Sequence, residues 1–121
     1  MAQILIIEDD PQLRDVLRQH MEYDGHHVFD AANGAHGLDT YNAQKIDLVI
    51  TDIFMPDKEG IETIIELREK SQKVKIIAMS GGGRLESVDY LILAQNLGAN
   101  RIFNKPFKWA DMRLAINELL G

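Results

Sequence analysis

Short runs of consecutive apolar residues alternate along the chain with longer segments in which apolar residues recur at helical spacing. A short apolar run predicts a buried strand, whereas the longer, periodic segments predict helices with one apolar face. The second of the five short runs is the weakest. The predicted strands are residues 3–7, 27–32, 47–52, 74–79 and 101–104.

The segments that follow the strands predict five helices. The first is expected to stop near Gly25, and the second and fourth are predicted at residues 34–45 and 86–99. The third is predicted from about Glu59. Strands that alternate with helices favour an α/β fold, in which helices cover both faces of a parallel sheet. The apolar faces are Leu13, Val16, Leu17 and Met21 on the first helix, Ile61, Ile64, Ile65 and Leu67 on the third, and Trp109, Met112, Ile116, Leu119 and Leu120 on the last.

The composition is that of one globular domain, with 121 residues, 45% of them hydrophobic and 26% charged. The net charge of −6 disfavours direct binding to nucleic acid, because phosphates would be repelled. Without cysteine the chain has no disulfide, thiolate zinc site or cysteine nucleophile. We read no signal peptide after Met1 and no stretch of the roughly 20 apolar residues that cross a membrane. A cytoplasmic location without membrane contact is therefore expected.

Polar side chains stand at the ends of four predicted strands. In an open parallel sheet the carboxyl ends of the strands share one edge, and ligands bind there at the topological switch point. We therefore expect acids, a hydroxyl and a lysine to meet in one cleft. The residues are Glu8, Asp9 and Asp10 after the first strand, Asp52 at the end of the third, Ser80 after the fourth, Asn104 at the end of the fifth, and Lys105 and Pro106 directly after it.

The charges in this cleft indicate its chemistry. Crowded carboxylates resist ionising unless a counter-charge is present. Mg²⁺ prefers one or two carboxylates together with water and phosphate oxygens, and a lysine ammonium offers a point charge to a phosphoryl oxygen. A cation, a hydroxyl and an ammonium around one carboxylate favour attack of that carboxylate on phosphorus. The pattern predicts a site that forms an aspartyl phosphate.

Four segments carry a resemblance to a known family. ILIIEDDP, DLVITDIFMPDKEG, IIAMSG and GANRIFNKPF resemble, in this order, the receiver domain of two-component response regulators. The resemblance covers residues 1–121 as a single receiver domain. It implies a CheY-like, flavodoxin-like fold: a doubly wound parallel sheet of five strands in the order 2-1-3-4-5, flanked by five helices.

The resemblance also implies a role for each residue that handles the phosphoryl group. Asp52 becomes the phosphoacceptor, Ser80 a hydrogen-bond donor to the phosphoryl group, and Lys105 its ionic partner. The peptide bond between Lys105 and Pro106 is commonly cis in this family. The domain would catalyse its own phosphorylation and dephosphorylation without turning over a separate substrate, so we do not expect an enzyme in the ordinary sense.

A magnesium site and signalling partners are implied as well. Asp9 would bind Mg²⁺ directly and Glu8 often through water, with Asp52 and the backbone carbonyl of Phe54 as further ligands. The phosphoryl donor would be a sensor histidine kinase or a histidine phosphotransfer protein. A downstream effector protein or an output domain would read the phosphorylated state, and the chain could be a stand-alone regulator or part of a larger protein.

Simpler interpretations stand beside these roles. Asp10 directly before Pro11 is the arrangement of a helix N-cap, which would leave Glu8 and Asp9 for the metal. Asp52 by itself could cap the turn that follows, Ser80 could be a turn hydroxyl, and Lys105 could be a solvated surface lysine.

Two other functions fit parts of the pattern. A Mg²⁺-dependent phosphohydrolase with an aspartyl intermediate typically has a second acid two residues after the nucleophile, and Phe54 occupies that position here. A degenerate receiver-like module would bind partners without phosphate. Ile102 keeps that alternative open, because the family typically has an aromatic residue at this position. The glycines that begin at Gly81 predict a segment that becomes ordered around the phosphoryl group.

Overall fold

The computed structural model describes residues 2–54, 60–81 and 87–121, and side chains throughout these ranges except at 87–89. The predicted start of the third helix at Glu59, and the glycine segment beyond Gly81, lie outside the described residues.

In the described ranges, five strands and five helices alternate, as the apolar pattern predicts. Their bounds differ from the predicted ones by a few residues at most, and the fourth strand includes Ser80 at its end. None of the helices in the described part of the chain has the length and apolar character needed to cross a bilayer. The elements are β1 (Gln3–Ile7), α1 (Pro11–Tyr23), β2 (His27–Ala31), α2 (Gly34–Ala43), β3 (Leu48–Asp52), α3 (Gly60–Lys70), β4 (Lys75–Ser80), α4 (Ser87–Leu97), β5 (Arg101–Asn104) and α5 (Trp109–Leu120).

All strand pairs in the sheet are parallel, and the order is β2-β1-β3-β4-β5. The register aligns the carboxyl ends of the strands: Thr51 of β3 lies beside Ile7, and Ser80 of β4 lies beside Asn104. The doubly wound fold and its strand order are therefore confirmed. The residues that follow β1, β3, β4 and β5 are brought to one edge of the sheet.

Apolar side chains fill two layers, one on each face of the sheet. The helices α2, α3 and α4 cover one face, which we call the α2–α4 face, and they bury Leu38, Ile64 and Leu91 there. The helices α1 and α5 cover the other, the α1–α5 face, where Leu17 and Met112 are buried. Because both faces of the sheet are covered, the strands consist of nearly continuous apolar residues.

Two residues that the helical pattern assigned to buried faces are exposed. Val16 of α1 is 48% exposed and Ile65 of α3 is 40% exposed. Each is directly adjacent in sequence to a buried residue, Leu17 and Ile64, and one step along a helix rotates the side chain by about 100°. The apolar stripe on each helix is therefore wider than the strip that the sheet covers, and the prediction for these two positions was wrong.

The start of α1 follows the predicted capping arrangement. Asp10 Oδ1 accepts a hydrogen bond from the amide of Gln12 at 2.9 Å, and Pro11 is the first helical residue. Gly25, with φ of +94°, lies just beyond the end of the helix, in a conformation that glycine adopts without strain. The cap fixes the direction in which the chain leaves β1, and so the placement of Glu8 and Asp9.

Candidate functional site

Lys105 connects the ends of three strands. Its Nζ donates to Glu8 Oε1 at 2.7 Å and to Asp52 Oδ2 at 2.8 Å. Glu8 follows β1, Asp52 ends β3, and Lys105 follows β5, so the contacts are made possible by the parallel order of the sheet. The lysine side chain is 18% exposed, and the two carboxylates are more deeply buried.

Glu8 is completely buried. Its Oε2 accepts the Asp10 amide at 3.1 Å, and its Oε1 accepts the Lys105 ammonium. Burial raises the pKa of Glu8 from its usual 4.5 to about 7; the hydrogen bond from Lys105 opposes this rise, and the charge of Asp52 reinforces it. Burial therefore outweighs the hydrogen bond from the lysine.

The Lys105 ammonium is held in its charged form. Burial alone would lower its pKa, but hydrogen bonds and the charges of Asp52 and Glu8 outweigh burial and raise the pKa. A positive charge is thus fixed beside the Asp52 carboxylate at neutral pH. This geometry makes the surface-lysine interpretation of Lys105 wrong.

The Asp52 carboxylate is fixed through both of its oxygens. The residue is 4% exposed, its Oδ1 accepts the backbone amide of Phe54 at 3.1 Å, and its Oδ2 accepts Lys105. Gly60 at the start of α3 lies against the same turn. A Cβ at position 60 would come within 2.1 Å of the Asp52 carbonyl oxygen. Only glycine allows this approach, so position 60 requires a residue without a side chain.

Three carboxylates form a group that fits a cation. Oxygens of Glu8, Asp9 and Asp52 lie within 4.8 Å of one another, and Asp9, unlike the other two, is exposed. Among the described residues, Lys105 is the one ammonium that pairs with these carboxylates, so negative charge is in excess there. Oxygen donors with uncompensated charge at this spacing are the set that a hard divalent cation prefers. The backbone carbonyl of Phe54 as a further ligand stays a prediction.

Ser80 and Lys105 are tied together through the backbone. The Lys105 amide donates to the Ser80 carbonyl at 2.8 Å, and the bond between Lys105 and Pro106 is cis. The Ser80 side chain is fully buried, and its Oγ has no hydrogen-bond partner among the described residues. A buried hydroxyl without a partner is costly unless a ligand satisfies it.

The position that departs from the family pattern lies beside this edge. Ile102 packs against the α2–α4 face and Phe103 against the α1–α5 face. The two neighbours therefore point to opposite sides of the sheet, as their positions in a strand predict. Phe103 does not take the place of the missing aromatic residue.

Two features near the site were not predicted from the sequence. The ring of Tyr90 in α4 packs against the ring of Phe54, with centroids 5.0 Å apart. An open groove of about 870 Å³ extends from Lys105 along the α1–α5 face, and Val16 and Trp109 line it. The groove accounts for the exposure of Val16. Neither feature has a local sequence signal, because each joins residues that are distant along the chain.

Comparison with known proteins places these features in one family. The family model described as Response regulator receiver domain matches residues 4–117. Sporulation initiation phosphotransferase F of Bacillus subtilis is 31% identical over 117 residues, which cover 97% of this chain and 92% of that protein. The chain spans about half the length of several other curated relatives that it matches.

Solved structures resemble the chain over nearly its whole length. The receiver domain protein from Clostridium thermocellum has a TM-score of 0.89 with 32% identity, and the match covers 98% of this chain and 94% of that one. Response regulator protein TrrA from Thermotoga maritima, solved in complex with Mg²⁺ and BeF, has a TM-score of 0.86 with 28% identity. That match covers 98% of this chain and 99% of TrrA.

Proposed function

The chain belongs to the response regulator receiver domain family, and from this premise we propose that it is a switch controlled by phosphorylation of Asp52. The observation that carries the proposal is the arrangement of that carboxylate. Asp52 is buried at the end of β3 and oriented by a backbone amide on one oxygen and an ammonium on the other.

In the proposed reaction, an oxygen of the Asp52 carboxylate attacks the phosphorus of a phosphohistidine on the donor protein. A new O–P bond forms, the N–P bond breaks, and the imidazole leaves with its electron pair. Lys105 stabilises the charge on the phosphoryl oxygens, because its ammonium is already beside the carboxylate. The Ser80 hydroxyl, without a partner among the described residues, donates to the phosphoryl group in the product.

Glu8, Asp9 and Asp52 are the side chains proposed to hold Mg²⁺, with the Phe54 carbonyl as a further ligand. The charge excess of the three carboxylates supports this assignment, as does the presence of Mg²⁺ and BeF in the related TrrA structure. When bound, the ion neutralises negative charge on the phosphoryl oxygens during transfer. Glu8 must be ionised to act as a ligand.

We place the whole chain, residues 1–121, in one receiver domain in the cytoplasm. Its proposed donors are a sensor histidine kinase or a histidine phosphotransfer protein, and an effector protein or output domain reads its state. The phosphoryl group of the product has a net charge of about −1.5 to −2. This added charge shifts the equilibrium between two conformations of the partner-binding surface. The domain modifies only itself.

The phosphohydrolase alternative would require a general acid two residues after Asp52, and Phe54, which has no ionisable group, occupies that position. Phe54 donates to the Asp52 carboxylate through its backbone amide. The phosphate-independent module would not require a charged lysine between two buried carboxylates. Both alternatives predict no stable phosphorylation of the chain, and this separates them from the proposal.

Intact mass after incubation with acetyl phosphate and Mg²⁺ tests the function. The oxygen–phosphorus bond of acetyl phosphate breaks, acetate leaves, and we expect the wild-type chain to gain one phosphoryl group. Asp52→Asn and a magnesium-free sample should show no gain, because each lacks a component of the reaction. A folded wild-type chain that binds Mg²⁺ but gains no mass would favour the phosphate-independent module.

The raised pKa of Glu8 predicts how pH acts on the site. The pKa of Glu8 is about 7 in the folded chain, which is higher than its usual 4.5. The contribution of Glu8 to the free energy of unfolding is therefore fully present below pH 4.5 and is lost as the pH rises through about 7. Glu8 would have to be ionised to hold Mg²⁺, and a bound cation would offset the cost of burying that charge. The rise in unfolding temperature that Mg²⁺ causes should therefore be larger at about pH 8 than at about pH 6.

Glu8→Gln is the matched control for this prediction, since it keeps the size of the side chain and removes the titration. The effect of Mg²⁺ on the unfolding temperature of this variant should be smaller and nearly independent of pH over the same interval. An equal rise at both pH values in the wild-type chain would contradict the role assigned to Glu8.

A further inference from the structure

Phe54 connects the acceptor carboxylate to α4. Its backbone amide donates to Asp52 Oδ1 at 3.1 Å. Its ring meets the ring of Tyr90 edge to face, with centroids 5.0 Å apart and planes at 77°. Tyr90 is 37% exposed, so the pair extends from the buried end of β3 to the surface of the domain. One residue thus contacts the carboxylate through its backbone and the helix through its side chain.

The fifth strand does not offer an equivalent connection. Ile102 is half-buried among the apolar residues of the α2–α4 face, and the Phe103 ring lies on the opposite face, 5.5 Å from that of Phe107. Phe54, whose amide donates to Asp52, therefore makes its aromatic contact with α4 and not with β5.

We infer that Tyr90 is a positioning residue for Asp52, which acts through Phe54 and couples the state of the carboxylate to α4. This inference rests on the proposed function, since it concerns the same carboxylate. The ring of Tyr90 limits the positions open to the Phe54 ring, and hence to the amide that orients Asp52. An edge-to-face contact of this kind changes the equilibrium constant between a state that has the contact and one that lacks it by about two- to tenfold.

The coupling acts in both directions. If the position of the Tyr90 ring affects the hydrogen bond between the Phe54 amide and Asp52, then a change in that hydrogen bond affects the position of the ring. The two effects change the respective equilibrium constants by the same factor, because a coupling free energy between two sites is reciprocal. Tyr90 is therefore expected to report the state of Asp52 on α4. Its effect on the rate at which Asp52 accepts phosphoryl follows separately, from its contact with the residue whose amide orients the carboxylate.

Phosphoryl uptake from acetyl phosphate and Mg²⁺, followed by intact mass, gives the first test. Tyr90→Ala should slow the initial uptake by about two- to tenfold, because the contact is lost. Tyr90→Phe retains the ring and should restore the wild-type rate. Ile92→Ala, which truncates another exposed apolar side chain of α4, is the matched control and should also react at the wild-type rate.

A double-mutant cycle shows whether Tyr90 acts through Phe54. In a Phe54→Ala background, Tyr90→Ala should cause no further slowing, because the ring through which it acts is absent. A Tyr90→Ala rate equal to or faster than wild type would overturn the inference. Equal slowing in both backgrounds would overturn it as well, since Tyr90 would then act by another route.

A second readout requires no phosphorylation. The NMR signals of the Tyr90 ring should shift between the wild-type chain and Asp52→Asn, and this shift should disappear when Phe54 is replaced by Ala. Unshifted signals would overturn the coupling. If the wild-type chain takes up no phosphoryl group, the proposed function fails, and the ring signals still decide whether Tyr90 is coupled to position 52.

Discussion

Replacement of Lys105 by Met is expected to slow phosphoryl uptake from acetyl phosphate by about a hundredfold or more. Removal of one well-placed donor from a site that stabilises developing negative charge typically has an effect of about that size. Lys105 Nζ lies 2.8 Å from Asp52 Oδ2, so a phosphoryl group on Asp52 would lie beside the ammonium. Methionine has a similar length and no charge, so the variant isolates the electrostatic contribution.

The same variant should change the titration of Glu8. Without the lysine, burial and the charge of Asp52 act on Glu8 unopposed by the ammonium, so its pKa should rise above about 7. Loss of one partner from a buried ion pair costs about 3–5 kcal/mol in the free energy of unfolding, and protonation of Glu8 at low pH reduces that cost. The variant should therefore be least stable, relative to wild type, in mildly alkaline solution.

Lys108→Met is the matched control for Lys105→Met. Lys108 is exposed and precedes α5, where its side chain makes no capping hydrogen bond. Its replacement should leave both phosphoryl uptake and the free energy of unfolding close to wild type. Equal uptake by Lys105→Met and Lys108→Met would show that the ammonium at position 105 does not stabilise the transfer.

Replacement of Gly60 by Ala is the second change with a large expected effect. In a helix, alanine is ordinarily more stable than glycine by up to about 1 kcal/mol. Here the new Cβ would lie 2.1 Å from the Asp52 carbonyl oxygen and 2.5 Å from the Ile53 Cα, and both are backbone atoms that cannot rotate away. Overpacking of this kind costs about 1–3 kcal/mol, so the clash should outweigh the helical preference.

Urea unfolding and phosphoryl uptake together test the Gly60 prediction. Gly60→Ala should lower the free energy of unfolding. It should also slow phosphoryl uptake, because the backbone segment that the new Cβ displaces carries Asp52. Gly81→Ala is the control for stability, because a Cβ there would meet no atom of the described residues within 4 Å. A Gly60→Ala chain as stable as wild type would mean that the turn after β3 tolerates a larger separation from α3.

The strands and their polar ends are the part of the structure that the sequence predicts best. A strand covered on both faces must be apolar throughout, so β1, β3 and β4 appear as uninterrupted runs, and the first polar residue after each run marks the edge of the sheet. Glu8 and Asp52 were predicted in this way, and Lys105 from its place directly after β5. The structure brings the three within hydrogen-bonding distance.

The helices and the long-range contacts are predicted less well. Periodicity identifies an apolar stripe but not how much of it the sheet covers, and the exposed Val16 and Ile65 show the difference. The contact between Phe54 and Tyr90 depends on how α4 is placed over the end of β3. Nothing in the local pattern around either residue encodes that placement, so the coupling proposed here required the structure.

The most direct test of the central claim locates the phosphoryl group on the chain. Borohydride reduces an aspartyl phosphate to homoserine, which peptide mass mapping identifies by position. After phosphorylation with acetyl phosphate and Mg²⁺, we expect homoserine at position 52, and none in the Asp52→Asn chain. Homoserine at Asp9 or another aspartate, or a phosphorylated chain that yields none at position 52, would contradict the assignment of Asp52 as the phosphoacceptor.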